Sequence, residues 1–392
     1  MTRFYPWLLV ALLWVVALLN YLDRQVIFSV FPLIRADLAV TDIQLGLLGT
    51  AFLWVYGLLS PFGGYLADRF GRRSVILVSL GVWSAVTLLT GYARSYYELL
   101  GARALMGISE ACYLPAGLAL IADYHSERTR SLATGLHQSG LYMGIVLGGV
   151  GGGWMGQTFG WRAAFIVLGA AGIAYGFVLV PMLRGGRTST ASRRPPVVRL
   201  STRPFTLLTT ANMLTATAYW CVYTWLPLYL FERFHMSLAG AGFSATFYIQ
   251  VASFAGILAG GTLADRWSRT NPRARILTQA MGLAAAGPFL FVVGFTGSAW
   301  ILVGALVLFG LGRGFFDCNL MPVVCEIVEP DLRATAYGVL NCTSCIAGGA
   351  MAIAGGMLKS SIGLGGALQI SGLILVVAAA MLAAGKLRPA HA

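Results

Sequence analysis

The chain has 392 residues, of which 58% are hydrophobic and only 10% charged, against about 25% charged in a soluble domain. Its 49 glycines suit membrane helices, where small residues let backbones approach closely. The net charge of +13 does not indicate nucleic acid, because the basic residues fall in short loops between apolar runs rather than on an interleaved soluble surface.

Hydropathy predicts an all-α membrane protein with twelve transmembrane helices in two six-helix halves. The spans cover residues 7–34, 43–67, 74–93, 97–122, 131–156 and 161–183, then 204–231, 238–264, 275–295, 299–325, 334–358 and 364–385. The first run follows Arg3 and lacks a small-residue cleavage site, so it reads as an uncleaved span rather than a secretory signal. With the N terminus inside, 19 of the 27 Lys and Arg residues fall in inside segments and five (Arg35, Arg94, Arg162, Arg233, Lys359) outside. The excess of inside cations then puts both termini in the cytoplasm. The polar, basic stretch with Ser189, Ser192 and Pro195-Pro196 is the one clear linker. It divides the chain into an N-terminal bundle at 1–184, a cytoplasmic linker at 185–203 and a C-terminal bundle at 204–392.

Charges inside spans carry the functional argument. Arg103 and Glu110 sit seven apart on the fourth span, on one face but on the order of 10 Å apart along the axis, too far for a direct ion pair. Each costs roughly 2.5–3.5 kcal/mol at mid-membrane on insertion scales, so other groups must meet them. Measured from the outer end of each span at about 1.5 Å per residue, Arg103 lies about 9 Å down, Asp23 about 16 Å and Glu110 about 20 Å. Asp23 therefore falls between the other two in depth and is expected to bridge them. The bland alternative is a buried structural network, but ionisable groups within the membrane mark function by default.

The two halves repeat. Gly64-Tyr-Leu-Ala-Asp68-Arg69-Phe-Gly71-Arg72-Arg73 ends the second span, and Gly261-Thr-Leu-Ala-Asp265-Arg266-Trp-Ser-Arg269 ends the eighth. These loops read as a latch, with Gly64, Asp68, Arg69, Arg72, Asp265 and Arg266 as its parts and the Arg residues pairing across the junction of the halves. Glu110 is five before Pro115 and Asp317 five before Pro322, so the two carboxylates are repeat mates, and Arg313 lies one turn before Asp317, close enough to pair. Arg313 with Asp317 reads as a gate or latch rather than a substrate contact. Internal repeats of spans are how many secondary transporters are built.

Softer candidates for the substrate cavity are Tyr21, Tyr113, Gln138, Tyr142, Tyr219, Tyr223, Asn319 and Asn341. A lone membrane His137 reads as a hydrogen-bond partner. Cys342-x-x-Cys345 has no second Cys or His pair, so it reads as packing and no metal is expected. No Walker loop and no His-Glu-x-x-His is present, which excludes an ATP-driven pump and a zinc enzyme of that type. A non-transporting receptor or scaffold is the remote alternative. It would not need Asp23, Arg103 and Glu110.

At Gly64–Arg73 the chain resembles the major facilitator superfamily, whose loop between the second and third spans reads Gly-x-x-x-Asp-Arg-x-Gly-Arg-Arg. Ser268 departs from that pattern in the second half. The resemblance extends over the whole chain, including Gly160-Trp161-Arg162. Asn20-Tyr21-Leu22-Asp23-Arg24, Arg103 with Ser109-Glu110-Ala111-Cys112-Tyr113, and Trp225-Leu226-Pro227 are similar to two branches: the sugar-acid and sialin-like anion:cation symporters, and the Spinster-like carriers of lysolipids and sphingolipids. The resemblance implies the major facilitator fold, proton-carrying roles for Asp23 and Glu110, and anion or coupling roles for Arg24 and Arg103. The expected function is a proton-coupled carrier of a small organic anion, the alternative a Spinster-like lysolipid carrier. Expected besides are a multi-pass plasma-membrane protein among membrane lipids, a monomer, and no cofactor other than the proton.

Overall fold

The structure is a computed structural model describing residues 4–185, 202–329 and 332–385, apart from the side chains of residues 64, 68, 127, 128, 131 and 334. Most of the linker expected at 185–203, and the side chains of Gly64 and Asp68, therefore lie outside the described residues. The described chain is helical with no strand, as lipid requires of backbone groups that have no water to bond. In order the helices are α1 (Tyr5–Ser29), α2 (Phe31–Leu38), α3 (Asp42–Phe70), α4 (Arg72–Thr90), α5 (Tyr96–Glu110), α6 (Tyr113–Tyr124), α7 (Glu127–Phe159), α8 (Trp161–Met182), α9 (Arg203–Phe234), α10 (Leu238–Trp267), α11 (Ala274–Phe295), α12 (Ala299–Ile327) and α13 (Arg333–Ala384).

Among the described residues nine segments are long and apolar enough to cross a membrane. One of them, Thr335–Ala384, turns at Gly363, where φ is +72°, and so supplies two spans. The 33-residue α7 and 32-residue α9 are long enough but carry more polar side chains. With α5 and α6 read as one broken span, this is the twelve-helix architecture expected from hydropathy. The breaks have a local cause. A proline lacks the N–H that would reach the carbonyl four residues back, and its ring crowds that carbonyl. Pro115 does this to Ala111, where α5 gives way to α6 two residues from Glu110, and Pro32 does it to Phe28, just before α1 gives way to α2.

The chain forms two compact units, Met1–Arg193 with His235–Phe243, and Arg194–Phe234 with Ser244–Ala392. In the first, α1 packs on α7, α4 on α8, and α3 on α5. In the second, α13 packs on α9 and α11, and α11 on α12. Gly71 between α3 and α4 adopts φ +85°, open to glycine at little cost. At the matching position of the second unit Ser268 cannot follow. There the chain ends α10 in a turn, with Ser268 Oγ donating to the Asp265 carbonyl and the Thr270 amide to that of Trp267. A turn rather than a left-handed residue thus stands where the first half has Gly71.

The loop charges work inside each unit. Arg72 pairs with Asp123 and donates to the Ala119 carbonyl at 2.9 Å, while Arg73 donates to Leu183 and Val180 carbonyls and so caps the C-terminal end of α8. In the second unit Arg275 pairs with Asp265 at 3.1 Å and Glu326 at 3.3 Å, and Arg273 caps the end of α13 through the Ala383 and Gly385 carbonyls. Arg72, expected to reach across to the other half, is engaged within its own bundle. Arg69 donates to Tyr65, and Arg266 is exposed.

Candidate functional site

Three close helix contacts assemble the charged cluster of the first unit. Gly144 and Gly148 of α7 lie against the Leu18 and Leu22 carbonyls of α1, and Gly107 of α5 lies where a Cβ would come within 2.8 Å of the Phe52 carbonyl of α3. Small residues at these points seat α1 on α7 and α5 on α3 without intervening side chains. The charges of α1 and α5 then meet over the aromatic rings of α3.

Arg24 Nε donates to Glu110 Oε2 at 2.5 Å, and both side chains are withdrawn from the surface. The Arg24 guanidinium carbon also lies 4.6, 4.9 and 4.3 Å from the ring centres of Tyr21, Phe52 and Tyr56. Such a cage compensates a cation that has left water. Arg103 is fully buried and lies 4.7 Å from the Phe52 ring centre. Its donors find only the Leu48 carbonyl at 3.4 Å and the Met106 sulfur at 3.1 Å, and Nη2 has no partner among the described residues. Asp23 Oδ2 accepts from Thr87 Oγ1 of α4 at 3.2 Å. Asp23 Oδ1, Glu110 Oε1 and Asn20 Nδ2 are buried without a hydrogen-bond partner among the described residues.

This corrects one expectation. Asp23 does not bridge Arg103 and Glu110; Arg24 takes Glu110, and Asp23 turns to α4. Successive residues on a helix point about 100° apart, so 23 and 24 must face different neighbours. Depth along the axis carries no information on azimuth.

The softer candidates divide. Tyr21 is part of the Arg24 cage. Tyr113 is fully buried in the core beside Leu13, Trp83 and Leu120, its hydroxyl donating to the Leu13 carbonyl and facing His137 Nε2, each at 2.8 Å. It is a packing residue in this structure, and His137 is its hydrogen-bond partner. Gln138 Oε1 is buried without a hydrogen-bond partner among the described residues, and Tyr142 lies half-buried on α7. Asn319 Nδ2 bonds back to the Phe315 carbonyl of its own helix, and Asn341 is half-buried on α13.

In the second unit Arg313 and Asp317 pair at 3.2 Å, one turn apart on α12. The Arg313 guanidinium carbon lies 5.1 Å from the ring centres of both Tyr219 and Tyr223 on α9. Sequence reasoning missed Phe52, Tyr56 and Thr87, and also Gln250 of α10, whose Oε1 accepts from Arg313 Nη1 at 3.2 Å. Phe52 and Tyr56 do share a face at i, i+4, which is a usable signal once a buried cation needs a cage. A Thr or Gln within a span carries none. Among the described residues no group of three or more His, Cys, Asp or Glu is placed to hold a metal.

The model of the Major Facilitator Superfamily matches residues 13–352. A Bacillus subtilis protein described as a probable galactarate/D-glucarate transporter is 28% identical over 348 residues, covering 79% of this chain and 76% of its own. The sphingosine-1-phosphate transporter of Mus musculus is 29% identical over 364 residues, covering 85% of this chain and 66% of its own. A crystal structure of a bacterial homolog to the human lysosomal transporter Spinster, inward-facing and occupied, shares the fold with a TM-score of 0.85 at 22% identity over 97% of both chains.

Proposed function

The chain belongs to the Major Facilitator Superfamily and is an integral membrane transporter, not an enzyme; on that premise we propose that it is a proton-coupled secondary carrier of a small organic anion, a sugar acid or another small carboxylate. One observation carries the reading. The buried cluster holds two guanidiniums, yet the only direct ion pair in it among the described residues is Arg24 with Glu110. Arg103 is left with a carbonyl and a sulfur, and one oxygen of each carboxylate is unpartnered.

That imbalance gives a coupling mechanism. Protonating Glu110 removes the charge that holds Arg24, and a guanidinium cannot shed its own proton to compensate. An uncompensated buried charge costs about 3–5 kcal/mol, so an incoming carboxylate becomes the favoured partner of Arg24 and Arg103. Proton and anion thus occupy the cluster together, and their joint binding biases a two-state exchange between access states. Asp23, held by Thr87, is the second proton acceptor. The carrier works as a monomer in the plasma membrane with both termini cytoplasmic.

The relative described as carrying galactarate or D-glucarate favours a hydrophilic acid. A second reading, a lysolipid carrier, draws on the sphingosine-1-phosphate relative. It also draws on an apolar cavity of about 610 Å³ in the first unit, lined by Leu66, Phe70, Val78, Val82, Ile108 and Cys112 among others. The test is uptake into proteoliposomes under an imposed proton gradient, with sugar acids against lysophospholipids. Acid outside is expected to drive accumulation of a sugar acid in the wild type and not in Glu110→Gln, which keeps exchange. Accumulation by Glu110→Gln at the wild-type rate overturns the coupling role, and accumulation of lysolipid alone selects the second reading.

A further inference from the structure

The second unit holds a carboxylate that the coupling mechanism above leaves unused. Asp317 stands five residues before Pro322, as Glu110 stands five before Pro115. The surroundings of the two carboxylates differ. Close packing of α12 on α10 brings Arg313 to Gln250: a Cβ on Gly310 would come within 2.6 Å of the Ile249 carbonyl, and one on Gly314 within 2.3 Å of the Ser253 carbonyl. Gln250, only 3% exposed, accepts from Arg313 Nη1 through Oε1 at 3.2 Å and donates through Nε2 to the Tyr223 hydroxyl at 3.4 Å. The rings of Tyr219 and Tyr223 on α9 each lie 5.1 Å from the guanidinium carbon. From α11, Gln279 reaches the same stretch of α12 and donates to the Phe316 carbonyl at 3.3 Å. Among the described residues Arg313 is the only charged group within ion-pair distance of Asp317.

This arrangement holds Asp317 loosely and Arg313 firmly. The pair stands at 3.2 Å, against 2.5 Å for Arg24 with Glu110 and about 2.7–2.9 Å for a strong charge-assisted bond. Its order along the helix, cation before anion at i, i+4, is the less favourable of the two. Neutralising Glu110 strips Arg24 of the one hydrogen-bonding side chain it meets among the described residues. Neutralising Asp317 leaves Arg313 the Gln250 oxygen and two ring faces, so the guanidinium stays compensated. Asp317 also keeps 28% of its side chain accessible, whereas the Glu110 side chain is fully buried. The Tyr219 hydroxyl is buried with no hydrogen-bond partner among the described residues, which leaves the cluster an uncommitted donor and acceptor.

We propose that Asp317 is a further proton-binding site of the carrier, taking up and releasing one proton in each cycle while Gln250, Tyr219 and Tyr223 keep Arg313 in place. The inference rests on the proton-coupled reading above and deepens it, since the protons carried exceed those of the first unit by one. A carboxylate oxygen of Asp317 accepts a proton from water in one access state and returns it to water in the other. Gln250 is a positioning residue, fixing Arg313 relative to Tyr223. A latch needs the Arg313–Asp317 pair to persist, whereas a proton site needs it to open without stranding the cation.

Stoichiometry separates the two roles. Full-length wild type and Asp317→Asn are reconstituted in proteoliposomes, the membrane potential is held at zero with valinomycin and equal potassium, and a pH difference is imposed. The galactarate gradient at which net flux reverses is then measured. Each proton carried with the substrate multiplies that gradient about tenfold per unit of pH difference. Asp317→Asn is expected to lower it about tenfold at a difference of one pH unit. A latch would alter the rate of uptake and leave the reversal gradient at its wild-type value, which overturns the site alone. Infrared pH-difference spectra of the detergent-solubilised protein need no transport, and thermal unfolding confirms that both proteins are folded. A protonated-carboxyl band present in wild type at mildly acidic pH and lost in Asp317→Asn is expected, and identical spectra overturn the site. A wild-type reversal gradient that ignores the pH difference overturns the proton-coupled reading and this inference with it. Absence of galactarate transport by wild type overturns galactarate as substrate, and the infrared spectra then decide on Asp317.

Discussion

Removing the charge of Glu110 should destabilise the first unit, and removing Arg24 as well should restore much of the loss. The carboxylate is fully buried and its Oε2 is 2.5 Å from Arg24 Nε, so Glu110→Gln leaves a guanidinium without its counter-charge away from water. An orphaned buried charge costs about 3–5 kcal/mol. The Gln carbonyl still accepts a hydrogen bond, worth about 0.5–1.5 kcal/mol, and the net expectation is about 2–4 kcal/mol. Arg24→Met should cost less at mildly acidic pH, because an abandoned carboxyl can take up a proton whereas an abandoned guanidinium cannot lose one. The double variant removes both charges and keeps an apolar stem under Tyr21, Phe52 and Tyr56, so a coupling of about 2–3 kcal/mol is expected between the two sites. Thermal unfolding in detergent reads it at roughly 2–4 °C per kcal/mol for domains of 150–250 residues. A double variant whose melting temperature falls by the sum of the two single shifts would show that the pair contributes no coupling, and the partner exchange proposed for Arg24 would go with it.

Other perturbations follow from the same geometry. Thr87→Val deletes the only hydrogen bond to Asp23 seen among the described residues and should cost about 1–3 kcal/mol of stability together with proton-driven uptake; unchanged uptake would remove Asp23 from the coupling set. Gly107→Leu forces α5 away from the Phe52 carbonyl, with an expected loss of about 1–3 kcal/mol or more and a fall in folded yield by size-exclusion chromatography. Pro115→Ala returns an N–H to the Ala111 carbonyl and should close the break between α5 and α6, raising the melting temperature while slowing uptake. Faster uptake in that variant would mean that the break beside Glu110 does not serve the transport cycle. Arg273→Ala uncaps the Ala383 and Gly385 carbonyls and should lower the melting temperature by a few degrees, without altering the apparent affinity for substrate.

Much of the site was legible in its membership and little in its connections. Arg24, Arg103, Glu110 and Asp23 stand out because charges in apolar spans are costly, and that cost is a property of the sequence. The rings that cage Arg24 were legible only as a pair sharing one helix face, because Phe52 and Tyr56 otherwise look like any apolar residues on a lipid-facing or core-facing helix. Tyr113 shows the converse. As a polar aromatic three residues from Glu110 it suggested a cavity wall, yet the turn across the Pro115 break sends it into the core against Trp83 and His137. Gln250 gave no sign in the sequence of meeting Arg313, since their approach depends on Gly310 and Gly314 seating α12 on α10.

By itself the sequence determined the twelve spans, the repeat, the family and the identity of the intramembrane charges, because hydropathy, loop cations and repeated motifs act along one dimension. Span ends agree with the helices to within a few residues, and Pro32 and Pro115 explain the breaks from local chemistry alone. Only the tertiary structure decided that Arg24 rather than Asp23 meets Glu110, that Asp23 meets Thr87, and that Arg103 is left without a carboxylate within ion-pair distance among the described residues. The physical reason is that depth in a span follows from counting residues, whereas the rotation of one helix against another is set by which small residues allow two backbones to touch.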